Sequence, residues 1–137
     1  MDISQNLKVK DVMVRGVITV PLNATVKEIT KTIVNSHIHA VCVIDEFGEI
    51  AGIVSETDLI KVFNKDLYKL TAEEIMNDKV VAISGESYVE EAVDIMVKQK
   101  IHRVVVVFGE DKVKLSIPKR PVGILSATDI IKLMAKD

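Results

Sequence analysis

Hydrophobic and polar positions along the chain fall into short blocks, and the series of blocks is written twice. A β-branched run, Val17-Ile18-Thr19-Val20, has its counterpart in Val80-Val81-Ala82-Ile83. Each is followed by a helical pattern. Val26, Ile29, Ile33 and Val34 recur at i, i+3, i+7 and i+8, and Val89, Ala92, Val93, Met96 and Val97 form one stripe of the same period. Capping boxes, Thr25-x-x-Glu28 and Ser87-x-x-Glu90, predict where these helices start. Next come apolar runs over 40–44 and 103–107, which lack polar alternation and so predict strands covered on both faces. Asp45-Glu46-Phe47-Gly48 predicts a turn into a further strand over 49–54. A second helix is expected from Ser55 to about Phe63, with a twin from Ser126 to the carboxyl terminus. Each copy therefore reads β-α-β-β-α, and the fold class is α/β.

The register of the duplication is regular. A shift of 63 positions carries Met13 onto Met76 and Ile38-His39-x-Val41-x-Val43 onto Ile101-His102-x-Val104-x-Val106. Beyond Val107 the shift is 71, and Gly52-Ile53-x-Ser55-x-Thr57-Asp58 returns as Gly123-Ile124-x-Ser126-x-Thr128-Asp129. Copy two thus holds eight extra residues, expected as an enlarged hairpin at about 108–121, locally basic through Lys112, Lys114, Lys119 and Arg120. These boundaries predict repeat one over 8–63, a linker over 64–70 and repeat two over 71–134, opened by the capping box Thr71-x-x-Glu74. So short a linker favours halves that pack together as one module.

Composition narrows the function classes. With 48% hydrophobic residues in 137 the chain can bury a core. A net charge of −2 argues against non-specific nucleic-acid binding, and 4% aromatics without Trp argue against stacking platforms. The lone Cys42 rules out an internal disulfide. No apolar run approaches the ~18 residues of a membrane span, and the first residues lack a secretory pattern; a cytoplasmic location is expected. No nucleophile elbow, P-loop or zinc-protease helix is present, so no enzymatic activity is expected. His37 and His39 lack the further ligands a metal site needs, so no metal is expected.

Ser-x-Thr-Asp is the motif able to carry chemistry. At a helix start, free backbone N–H groups and the Thr57 or Thr128 hydroxyl suit a phosphate. Asp58 or Asp129 can accept two hydrogen bonds, as a ribose presents them. Ser55-x-x-Asp58 and Ser126-x-x-Asp129 also fit purely structural capping boxes. The motif alone leaves both readings open.

The ordered set of motifs resembles a tandem pair of cystathionine-β-synthase-type (CBS) domains. The resemblance rests in copy one on Val9-Lys10-Asp11-Val12-Met13, the β run ending in Thr19-Val20 and Gly52-Ile53-Val54-Ser55-x-Thr57-Asp58, and in copy two on Ala72-Glu73-Glu74-Ile75-Met76, Ile101-His102-Arg103 before its apolar strand and Gly123-Ile124-Leu125-Ser126-x-Thr128-Asp129. It implies repeats related by a pseudo-twofold axis, two clefts between them, and a regulatory adenosine ligand such as AMP, ADP or ATP, with no obligatory cofactor. It implies that the Asp binds ribose and the Thr binds phosphate. One cleft would combine Ile53, Ser55, Thr57 and Asp58 with Val81, Ala82, Ile101, His102 and Arg103. The other would combine Ile124, Ser126, Thr128 and Asp129 with Ile18, Thr19, Ile38, His39 and Ala40. Arg103, which stands where copy one has Ala40, would favour the more highly charged nucleotide in the first cleft. The resemblance also implies a homodimer and an unidentified client protein that reads an energy-sensing signal. The alternatives are a ligand-free interaction scaffold or a module for S-adenosylmethionine or nucleic acid.

Overall fold

The computed structural model describes residues 6–108 and 120–137, so most of the expected hairpin lies outside the described residues. Two compact units form. One is Ile18–Val80; the other joins the amino-terminal residues up to Val17 to Val81–Asp137. This division differs from the order of the repeats along the chain, because each unit takes the opening segment that precedes the other copy's first long helix.

In the first unit, β2 (Thr19–Pro21), α2 (Val26–Ser36), β3 (Ala40–Ile44), β4 (Ile50–Ser55) and α3 (Glu56–Ile60) are followed by α4 (Ala72–Ile75). The sheet order is β2-β3-β4, with β2 parallel and β4 antiparallel to β3. Val20, Val41, Val43 and Val54 face α2, where Ile29 and Ile33 complete the core. In the second unit, β5 (Ala82–Ser84), α5 (Val89–Gln99), β6 (Arg103–Val107), β7 (Pro121–Ser126) and α6 (Ala127–Met134) repeat that plan. Here α1 (Val9–Val12) leads into β1 (Val14–Arg15), and β1 extends the sheet to β1-β7-β6-β5. Leu125, Val104, Val106 and Ile83 form its core with Ala92 and Met96.

The opening segments dock in the same way in both units. Val9 N–H donates to Ser87 O and Lys10 N–H to Gly85 O, at 2.8 and 3.0 Å; Ala72 to Ala24 and Glu73 to Leu22 repeat both distances. Orphan N–H groups at the long-helix starts are satisfied likewise, Val26 by Leu70 O and Val89 by Leu7 O. Val14 stands opposite Ile124 as Asn77 stands opposite Ile53. Gly52 and Gly123 permit this approach. A Cβ on Gly52 would lie 2.5 Å from the Met76 sulfur, and one on Gly123 would lie 2.6 Å from the Met13 sulfur. The recurring Gly and Met of the two copies are therefore one packing device.

Three expectations change. The cap of α5 is Tyr88 with Glu91, not Ser87 with Glu90: the Tyr88 N–H donates to Glu91 Oε1 at 3.1 Å, matching Thr25 and Glu28. Ser87 is buried, and its hydroxyl is without a partner among the described residues. Val34 and Val97 do not join the core; they are 69% and 70% exposed. Each stands eight residues after the first core valine, about 80° around the helix from it, which is past the buried stripe. Finally, α3 ends at Ile60 and α6 at Met134, both short of their expected ends. The full burial of β3 except Ile44, and of β6 except Arg103, agrees with the unalternating apolar runs. Cys42 lies in β3, where burial pushes its thiol up to about 12.

Candidate functional site

Each unit gathers its own predicted site residues at one end of its sheet, a grouping that differs from the expected clefts: the Asp58 corner shares its sheet end with Ile18, Thr19, Ile38, His39 and Ala40, and the Asp129 corner with Val81, Ala82, Ile101, His102 and Arg103. Because β2 and β3 are parallel and β4 is antiparallel, the beginnings of the first two strands meet the end of the third. Thr19 pairs with Cys42, Cys42 with Ile53, and Ala40 with Ser55. Ile18, Ile38 and His39 immediately precede these strands, and Thr57 and Asp58 open α3. The other unit repeats the arrangement: Ala82 pairs with Val105, Val105 with Ile124, and Arg103 with Ser126. Val81, Ile101 and His102 precede β5 and β6, while Thr128 and Asp129 open α6. Ile38, Val81 and Ile101 also pack against the cores. Ile53 and Ile124 are half-buried and stand one residue out of phase with the core residues Val54 and Leu125.

The Ser-x-Thr-Asp corners are capped helix starts. Asp58 Oδ2 accepts from the Ser55 N–H at 2.9 Å and from the Ser55 hydroxyl at 3.0 Å. Asp129 Oδ2 accepts from the Ser126 N–H and hydroxyl, both at 2.9 Å, and the Asp129 N–H donates to Ser126 Oγ at 3.2 Å. The structural reading of the motif is therefore realised in both copies. It consumes only one carboxylate oxygen. Oδ1 of each Asp has no partner among the described residues, and each Asp is only partly buried. The Thr57 and Thr128 side chains are exposed and make no hydrogen bond among the described residues. The cap fixes the carboxylate and leaves an oxygen and a neighbouring hydroxyl available for a ligand.

The two corners differ in charge. His39 Nδ1 lies 3.2 Å from Glu56 Oε2, and both side chains are exposed. At the corresponding positions the other unit has His102 and Ala127, without an acid. Arg103 adds a cation to that unit instead, on the strand position opposite Ser126. Glu56 was not among the sequence-predicted site residues; its signal was an acid directly after Ser55 in one copy only. Among the described residues no group of three His, Cys, Asp or Glu could hold a metal, and no helix is long and apolar enough to cross a membrane.

Two α/β units with duplicated, capped Ser-x-Thr-Asp corners define the class of this chain, a tandem repeat of one small α/β fold. The family model for the CBS domain matches residues 9–65 and again 72–136, and the chain belongs to that family. Its structure is similar to that of the CBS domain pair of protein MJ0100 in complex with 5′-methylthioadenosine and S-adenosyl-L-methionine, with TM-score 0.78 and 30% identity, covering 93% of this chain and 94% of that one. In sequence it is 29% identical over 130 residues to the uncharacterized protein MJ1232 of Methanocaldococcus jannaschii, covering 95% of this chain and 40% of the relative. It is 30% identical over 125 residues to the L-aspartate semialdehyde sulfurtransferase of the same organism, covering 91% of this chain and 23% of that enzyme. The chain thus spans less than half the length of these curated relatives.

Proposed function

We propose that the chain is a regulatory module that binds an adenosine-containing ligand at its Ser-x-Thr-Asp corners and passes the binding event to a protein partner. The carrying observation is the division of labour at Asp58 and Asp129. One oxygen is spent on the helix cap, and among the described residues the other is free beside an unpartnered Thr hydroxyl. A carboxylate held in this way accepts from ribose hydroxyls without a cost in ordering its own side chain. The adenosyl ligands of the MJ0100 pair, a 30% identical relative, support the same class of ligand here.

Charge separates phosphorylated from unphosphorylated ligands. Arg103 offers a planar guanidinium for the phosphate of AMP, ADP or ATP. Glu56 beside Asp58 makes the other corner acidic, which suits the sulfonium of S-adenosylmethionine better than a polyphosphate. The exposed apolar residues Ile60 at the end of α3 and Phe63 just beyond it, and their twins Ile131 and Met134 on α6, provide apolar surface for a homodimer or a client protein.

Calorimetry with AMP, ATP, 5′-methylthioadenosine and S-adenosylmethionine tests the proposal. Thr57→Val and Thr128→Val remove a hydroxyl that the fold does not use, so folding stability should stay within about 0.5 kcal/mol while affinity at the altered corner falls. Asp58→Asn and Asp129→Asn keep an acceptor for the cap and should weaken binding further. Absence of saturable heat with all four ligands would overturn the adenosine reading and leave an interaction scaffold built on helix caps.

A further inference from the structure

The unit that contains β1 holds a cavity of about 460 Å³ at the end of its sheet opposite the Ser-x-Thr-Asp corner. The opening segment supplies Lys10, Met13 and Arg15, and the end of β6 with the start of β7 supplies Val107, Phe108 and Val122. The volume lies within the range of small-molecule sites. Its chemistry is split. Met13, Val107, Phe108 and Val122 give an apolar wall, and Phe108 is 84% exposed. Lys10, Arg15 and Glu86 give a charged rim.

The rim has an unspent cation. Glu86 is held between Lys8 at 2.9 Å and Lys10 at 2.8 Å, so its charge is already answered. Arg15 makes one long contact, to the Lys10 carbonyl at 3.4 Å, and no ion pair among the described residues. The Lys10 ammonium spends one of its three N–H groups on Glu86 and keeps two. Among the lining residues, Lys10 and Arg15 against Glu86 leave one positive charge. The other copy shows that the fold does not require this arrangement. There Lys10 is replaced by Glu73 and Arg15 by Asp78 on the docked segment, and Glu86 by Asn23 on the loop that receives it.

We infer that this cavity binds a small organic monoanion, a carboxylate joined to an apolar or aromatic body. The carboxylate pairs with the Arg15 fork and the free Lys10 N–H groups, and the apolar body covers Met13, Val122 and the Phe108 ring. A dianion would exceed the single positive charge and face Glu86. The inference does not depend on the adenosine reading, which concerns the opposite sheet end.

The test is a titration of the full-length chain followed by backbone amide NMR, with phenylacetate, acetate, inorganic phosphate and phenethylamine as probes. Phenylacetate should give saturable shifts at Gly85, Glu86 and Arg15. Acetate should bind at least tenfold more weakly, having no apolar body. Phenethylamine should give no saturable shifts there. Arg15→Gln should weaken phenylacetate at least tenfold with an unchanged amide spectrum elsewhere, and Phe108→Ala should weaken it while leaving acetate unaffected. Phosphate binding as tightly as phenylacetate would overturn the monoanion assignment. Equal titrations of the native chain and Arg15→Gln, or no saturable shift with phenylacetate, would overturn the site.

Discussion

The docking of the opening segments makes a ranked prediction for Gly123→Ala and Gly52→Ala. A Cβ at residue 123 would meet the Val14 carbonyl oxygen at 2.7 Å and the Met13 sulfur at 2.6 Å. Val14 is backbone paired to Ile124, so relief requires β1 to move off β7. That movement weakens a two-residue ladder and shifts Met13, which packs on the core. At about 1 kcal/mol per hydrogen bond lost, plus overpacking of 1–3 kcal/mol, less the entropic gain of about 0.5 kcal/mol from replacing Gly, the net cost is about 2 kcal/mol. At residue 52 the nearest atoms are the Met76 sulfur at 2.5 Å and its Cγ at 2.8 Å, while the backbone oxygen of Asn77 stays at 3.0 Å. A methionine side chain can swing away, so Gly52→Ala should cost about 0.5–1 kcal/mol. With a urea slope near 2 kcal/mol/M the midpoint should fall by about 1 M for Gly123→Ala and by about a quarter to a half of that for Gly52→Ala. If Gly52→Ala proves equal or worse, the geometric account of these glycines is wrong.

Ser87→Ala should stabilise the chain by about 1 kcal/mol, because it removes a buried hydroxyl without a partner among the described residues and installs the residue that copy one carries as Ala24; a loss of stability in urea would show that the hydroxyl is satisfied. Glu86 supplies an acid-sensitive contribution. Hydrogen bonds from Lys10 and then Lys8 lower its carboxyl from the ordinary 4.5 to about 2. The stabilisation it gives is complete above 4.5 and disappears as pH falls through about 2. The urea midpoint of Glu86→Gln should therefore fall less between those limits than that of the native chain; parallel curves would refute the ion-pair account.

Much of the fold is legible in local pattern. The period-3.6 stripes locate α2 and α5, and the unbroken β-branched runs locate β3 and β6 as strands buried on both faces. What local pattern does not carry is which opening segment docks on which body. Val14 and Arg15 have no strand signature of their own; they become a strand because β7 has an open edge and Gly123 admits them. The Ser87 cap failed for a related reason. Tyr88 has no side chain suited to capping, yet its N–H is satisfied by Glu91, so half of a capping box suffices at that position. At the candidate site, spacing alone identified the Ser-Asp corners. The His39–Glu56 pair required the folded positions of two residues 17 apart in the sequence.

A duplicated chain performs its own substitution experiment, and the outcome separates scaffold from chemistry. Positions the copies share, namely the Gly–Met contacts, the docking hydrogen bonds and the Ser–Asp caps, each have a complete structural explanation. Positions where they diverge in charge make local contacts in one copy only: Ala40 stands against Arg103, Glu56 (beside His39) against Ala127, Glu73 against Lys10 (paired with Glu86), and Asp78 against Arg15. The same backbone accepts either member of each pair, so the fold does not choose between them. Thr57 and Thr128 form a third category, shared by both copies yet unused by either cap. A cap needs the Ser and the Asp. A ligand that reads both corners in the same way also needs a hydroxyl between them, while a ligand that distinguishes them reads Arg103 and Glu56. Under the proposed function, the shared threonines report on what a ligand finds in common at the two corners, and the charge differences report on what is particular to each.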